Sequence, residues 1–232
     1  ETASTGYKIT VPSEDAFIIR VRGDNWRNWY KVNLIKNDTI LFLDSLAFNL
    51  KGNDLYVSSL EFSNDAKMLL VRTDFKPIWR YSYSATYYLY DLMNKKLFPL
   101  SDENKDLRNV KFAPTSDRIA YVRQDNNIYV YDIKRDRERR LTTSGSEFVS
   151  NGHFGWLYEE ELTGFDAYRW SPDGKSICYW EEDNSMVKDF SIIDDLAQYP
   201  TITKIKYPKA GETNPTLKIG VLRVSGAGKR WL

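Results

Sequence analysis

Three adjacent carboxylates, Glu159, Glu160 and Glu161, sit between an aromatic cluster and a turn in Gly155-Trp-Leu-Tyr-Glu-Glu-Glu-Leu-Thr-Gly164. The spacing from Trp156 to Leu162 predicts about two helical turns, ended by Gly164. Successive helical positions are roughly 100° apart, so the three carboxylates cannot all point the same way, and two can converge on one cation. A free amino terminus suits such a pair: it is a compact charge with several N–H donors, and carboxylates accept from it through charge-assisted hydrogen bonds. The same three residues are also compatible with a solvated helix face. Nucleophilic hydrolysis is a poorer fit. It needs a serine, a histidine and an orienting carboxylate, and the chain has one histidine, His153, and no Gly-x-Ser-x-Gly elbow. One histidine and one cysteine also leave no conventional zinc set, so no metal or other cofactor is expected. His153, in Ser150-Asn-Gly-His-Phe154, is expected to serve a turn.

The elements that must position these residues are strands. From Trp29 onward a unit recurs in which a strand ends in a polar and an apolar residue before a turn: Trp29–Leu34, Tyr88–Leu92, Ile128–Ile133 and, more loosely, Lys218–Val224. A second unit lies between them, an aromatic residue, a turn and an apolar strand: Phe62–Val71, Phe112–Val122 and Trp170–Trp180. Ala16–Val21 predicts an earlier strand ahead of Gly23. Two alternating hairpin signatures are what four-stranded propeller blades leave in a sequence, and about four such units are present. A two-sheet sandwich would also give many short strands, but it would not require the repeats. The fold class is therefore all-β, part of a β-propeller with a short helical excursion carrying the glutamates.

Bulk properties exclude several functions. The 232 residues are 42% hydrophobic and 15% aromatic, ample for a core. With 33 basic and 32 acidic residues the net charge is +1, which offers no global field for nucleic acid or an anionic membrane. The run Lys134-Arg-Asp-Arg-Glu-Arg-Arg140 has interleaved acids and is expected to be a solvated hairpin end. No apolar run reaches the ~18 residues needed to span a bilayer. Cys178 is the only cysteine, so no intrachain disulfide can form, and Ser176–Trp180 reads as a strand that at least half buries it. Asn37-Asp38-Thr39 fits a glycosylation acceptor. A chain starting at Glu1 is expected to have been trimmed.

Tyr158-Glu-Glu-Glu161 followed by Trp170-Ser-Pro-Asp-Gly174 resembles the glutamate motif of the dipeptidyl peptidase IV family, serine exopeptidases that release dipeptides from amino termini. The resemblance extends over residues 40–224, through Trp79-Arg-Tyr-Ser-Tyr-Ser-Ala-Thr-Tyr-Tyr-Leu-Tyr-Asp-Leu92, Tyr199-Pro200 and Tyr207-Pro-Lys-Ala-Gly-Glu-Thr-Asn-Pro215. It implies that residues 1–232 are the amino-terminal half of an eight-bladed propeller, with the α/β-hydrolase domain absent from this chain and the chain inactive alone. By motif position, Glu160 and Glu161 would grip the free amine of a peptide substrate deep in a cavity, and Arg80 would bind the carbonyl of its first residue. Glu159 would be a helix neighbour. The implied activity of the parent protein is release of Xaa-Pro or Xaa-Ala dipeptides. The competing implication is a non-enzymatic relative that binds partner proteins. The family implies a secreted, periplasmic or cell-surface location. An incomplete propeller exposes strand edges and blade faces, so a homo-oligomer is expected. Two departures put side-chain preference in question: the interval from Glu161 to Trp170 is one residue shorter than the family's, and Lys188 stands where proline is common.

Overall fold

The computed structural model describes residues 8–20, 28–196, 198–226 and 228–232. Its strands form four antiparallel sheets of the propeller-blade type. The first comprises β1 (Lys8–Thr10), β2 (Ala16–Arg20), β3 (Trp29–Asn33) and β4 (Asp38–Leu43), in that order. A small pair, β5 (Asn49–Leu50) with β6 (Asn53–Asp54), precedes the second: β7 (Ser59–Phe62), β8 (Met68–Pro77), β9 (Tyr83–Asp91) and β10 (Lys96–Pro99). The third is β11 (Arg108–Phe112), β12 (Arg118–Val122), β13 (Ile128–Asp132) and β14 (Arg137–Arg140).

The fourth sheet carries the excursion. It starts with β15 (Val149–Asn151), and α1 (Trp156–Leu162) follows before β16 (Tyr168–Trp170). Both strands pair with β17 (Ser176–Asp183). A separate hairpin, β18 (Asp189–Asp194) with β19 (Thr201–Lys206), comes next, and β20 (Thr216–Arg223) and β21 (Lys229–Trp231) complete the sheet. Val21 and Gly23 of the expected early strand lie outside the described residues.

Both repeats in the sequence have a physical basis. In the first, the polar residue at the strand end caps the turn. Asn33 Oδ1 accepts from Ile35 and Lys36 N–H, Asp91 Oδ1 from Met93 and Asn94 N–H, and Asp132 Oδ1 from Arg135 N–H. Four residues after each cap the backbone enters the left-handed region, at Asn37, Lys95 and Asp136. These are Asx-capped hairpin turns. In the second repeat one loop recurs, closed by two backbone bonds: Ser63 N to Met68 O with Ala66 N to Ser63 O, Ala113 N to Arg118 O with Ser116 N to Ala113 O, and Ser171 N to Ser176 O with Gly174 N to Ser171 O. Ala66, Ser116 and Gly174 all have positive φ. A fourth copy, with the same bond offsets, closes Val11–Ala16.

Contacts divide the chain into two compact units. One holds the first two sheets, and the other holds the last two together with residues 76–84, the tip of the β8–β9 hairpin. The first has a core of Ile18, Trp29, Phe48, Leu60, Leu69, Val71 and Tyr90. The core of the second includes Val122, Ile128, Val130, Tyr168, Ile177, Tyr179 and Leu222. Burial of each such side chain is worth about 1.5–3 kcal/mol. The basic run Lys134–Arg140 differs in part from expectation. Only residues 133–136 make the turn, and Arg137–Arg140 is β14, the outer strand of its sheet, because its backbone pairs in register with β13 from Asp132–Arg137 to Tyr129–Arg140.

Candidate functional site

Helix α1 is set by contacts at both ends. At its start Gly155 donates its N–H to Glu182 Oε2 at 2.7 Å, and a Cβ on Gly155 would lie 2.9 Å from Glu182 Oε1. Only glycine lets the buried carboxylate come so close. At its end Thr163 takes the left-handed conformation with φ 54°, and the Gly164 N–H returns to Tyr158 O at 3.0 Å. Aromatic contacts fix the flanks: Trp156 on Tyr207 with ring centres 4.5 Å apart, and Phe154 against Tyr158 and Trp180.

The helical rotation gives the three glutamates three environments. Glu159 is fully buried, and its Oε1 accepts from the Tyr81 and Ser82 N–H groups at 2.6 and 2.7 Å. Glu160 Oε2 accepts from Arg80 Nε at 2.9 Å. Glu161 is exposed and has no hydrogen-bond or ion-pair partner among the described residues. The structure thus brings Arg80 and Glu160 together across 80 positions of sequence, with Glu161 next along the helix. Arg80 is itself well exposed, and the Glu160 hydrogen bond and charge hold its pKa above the ordinary arginine value. Its two Nη groups have no partner among the described residues.

The hairpin tip that carries Arg80 is braced a second time. Asp106 accepts from Lys76 Nζ at 2.8 Å and Gln124 Nε2 at 2.9 Å, and the Lys76 bond leads the interactions that hold its carboxyl below the usual range. The roles of Glu159, Glu182 and Asp106 escaped sequence reasoning. For Glu159 the helical rotation was the available signal, since three consecutive glutamates on a helix cannot all share one face.

His153 lies away from any such chemistry. Its Nε2 is 2.9 Å from Asn126 Oδ1 and 3.3 Å from Arg108 Nη1, and it pairs by backbone with Asp166. Burial, then the Arg108 charge, pushes its pKa down to about 3, so the ring is neutral at physiological pH.

All these site residues fall within the segment, residues 63–231, that matches the family model described as the dipeptidyl peptidase IV (DPP IV) N-terminal region. The chain belongs to the dipeptidyl peptidase IV family. It is 36% identical over 200 residues to dipeptidyl aminopeptidase B of Saccharomyces cerevisiae, covering 83% of this chain and 24% of that protein. Against the probable dipeptidyl-aminopeptidase B of Talaromyces marneffei it is 35% identical over 202 residues, covering 81% and 22%. The crystal structure of Porphyromonas gingivalis dipeptidyl peptidase 4 superimposes on the whole chain with a TM-score of 0.88 at 26% identity, over 33% of that chain. This agreement identifies the four sheets as part of the family's propeller region, as the repeats predicted. The chain spans about a quarter of the length of the curated relatives it matches, at 22%, 24% and 25% of the first three.

Proposed function

We propose that this chain is the substrate-selecting propeller segment of a DPP IV-like serine exopeptidase that releases amino-terminal Xaa-Pro or Xaa-Ala dipeptides. In this reading Glu160 and Glu161 hold the substrate's free amine, and Arg80 holds the carbonyl of its first residue. The observation that carries it is the Arg80–Glu160 pair beside the unpaired Glu161. Two carboxylates and one guanidinium leave one negative charge over, and an ammonium ion balances it. Arg80 binds Glu160 through Nε, which leaves its planar fork for a carbonyl oxygen. Such a site works as a ruler, because fixing the amine and the first carbonyl sets the distance to the bond cleaved two residues in.

The open position of Glu161 lowers the energy expected from a deeply buried pair. A charge-assisted hydrogen bond at a partly exposed site is worth roughly 1.5–3 kcal/mol, so acetylating the peptide amine should weaken recognition roughly ten- to hundred-fold. The test is kcat/KM for free and acetylated peptides with Glu160→Ala and Glu161→Ala variants of the full-length parent. Loss of the preference for free amino termini is the expected result. An undiminished preference in both variants would refute the assignment.

As a second part of the same reading, we propose that the chain self-associates through the β18–β19 hairpin.

A further inference from the structure

A second concave site shares no residue with the glutamate helix. It is a cleft of about 660 Å³ in the unit that holds the last two sheets. One wall is formed by Arg118, Asp132, Arg137 and Arg139, and the other by the β16–β17 turn with Lys175 and by Arg223 at the end of β20. Six of its lining residues are basic and two are acidic, on a chain whose net charge is only +1. The cleft is thus locally basic, and its lower-dielectric walls strengthen the field of the cations that line it.

The cations fall into two groups. Some are already committed: Arg118 Nη1 lies 3.2 Å from Asp117, Arg135 lies 2.8 Å from Asp132, and Arg139 Nη1 donates to Ser225 O. The others are not. Arg137, Lys175 and Arg223 have exposed side chains with no hydrogen bond or ion pair among the described residues. Lys175 acts on Asp173, another lining residue, and after the Ser171 hydrogen bond helps to hold that carboxyl below its usual range. Cations gathered around one cleft repel one another, an arrangement stabilised when a multivalent anion enters. A single carboxylate would answer one of them. Guanidinium forks match the tetrahedral oxygens of phosphate or sulfate by paired N–H donors. The volume falls within the range of small-ligand sites, and the basic residues line a half-open cleft.

We propose that this cleft binds a compact ligand bearing two or more phosphate or sulfate groups, held chiefly by Arg137, Lys175 and Arg223. The anchored Arg118 and Arg139 belong to one of its walls. The ligand could be a free oligophosphate or the end of a sulfated saccharide, and both present the same oxyanion chemistry. Binding here is independent of the proposed amine site, so it neither requires nor excludes peptidase function in the parent.

Isothermal titration of the chain with sodium tripolyphosphate and with a heparin-derived sulfated tetrasaccharide, at low and physiological ionic strength, tests the proposal. At least one probe should bind, and the probe that does identifies the source. Each of Arg137→Gln and Arg223→Gln should weaken binding about ten-fold, the double exchange should weaken it further, and the salt dependence should become shallower. Both side chains are solvent-exposed, and a circular dichroism melt checks that the fold is retained. Lys36→Gln in the β3–β4 turn removes the same charge outside the cleft and should leave affinity unchanged. The proposal is overturned if neither probe binds, if binding survives the double exchange, or if Lys36→Gln weakens it as much.

Discussion

Glu182 is a carboxylate wholly removed from water, with Oε2 committed to the Gly155 N–H and Oε1 to Asn184 Nδ2 at 2.8 Å. Burial raises its pKa above the ordinary 4.5, and the two hydrogen bonds only partly oppose that shift. The folded state therefore holds this proton more tightly than the unfolded state. The resulting stability is fully present below about pH 4.5 and is lost as pH rises through the folded value. Glu182→Gln keeps an acceptor for Gly155 and removes the titration. Urea midpoints measured from neutral pH down to that of the unfolded carboxyl should show the parent gaining stability relative to the variant, and parallel profiles would contradict this. Sequence reading missed this residue because a glutamate in Glu181-Glu182-Asp183 reads as strand surface. Its burial is decided by Gly155, 27 positions away, whose missing side chain makes room for it. Glu160 and Arg80 were legible only through the resemblance, since no local pattern links residues 80 apart.

At the scale of elements, the glutamate helix and the β8–β9 hairpin tip are joined chiefly by Glu159. Its carboxylate satisfies two backbone donors that would otherwise be orphaned in a partly buried place. Glu159→Ala should cost roughly 1–3 kcal/mol for each unpaired donor, partly offset by removal of a buried charge. Hydrogen exchange should localise the loss: the Tyr81 and Ser82 amides should exchange at least about ten-fold faster, while amides of Tyr87 and Leu89 in β9 keep their protection. Equal protection at all four positions would show that the tip is held by the Lys76–Asp106 and Arg80–Glu160 pairs without Glu159. The helix itself was readable, from Trp156 to Leu162, because a seven-residue break in strand alternation is strong local evidence. Three copies of the closed loop were equally readable from their aromatic and turn residues. The fourth, at Val11–Ala16, was hidden because Val-Pro-Ser-Glu-Asp-Ala makes the same two hydrogen bonds without the aromatic marker. Backbone geometry recurs there even though side-chain identity does not.

At the scale of the whole molecule, the β18–β19 hairpin stands apart from the four sheets, inserted between two strands that pair directly. Two strands alone are marginal in water and need a covering surface. Register places Ile193 opposite Ile202 on one face, both more than 60% exposed, while Phe190 and Ile192 share the other face. Neither outer edge pairs with another strand among the described residues, and the tip carries exposed Leu196 and Tyr199. A second copy of the same hairpin offers matching apolar faces and free edge hydrogen bonds, and a twofold pairing satisfies both copies at once. Light scattering coupled to size exclusion should therefore report a dimer at high protein concentration. Replacing Ile192 and Ile202 with lysine places charge on each face and should return the chain to a monomer with its circular dichroism spectrum intact. A monodisperse monomer from the unsubstituted chain would rule the pairing out. Dimerisation that survives the two lysines would move the contact from this hairpin to a sheet edge elsewhere.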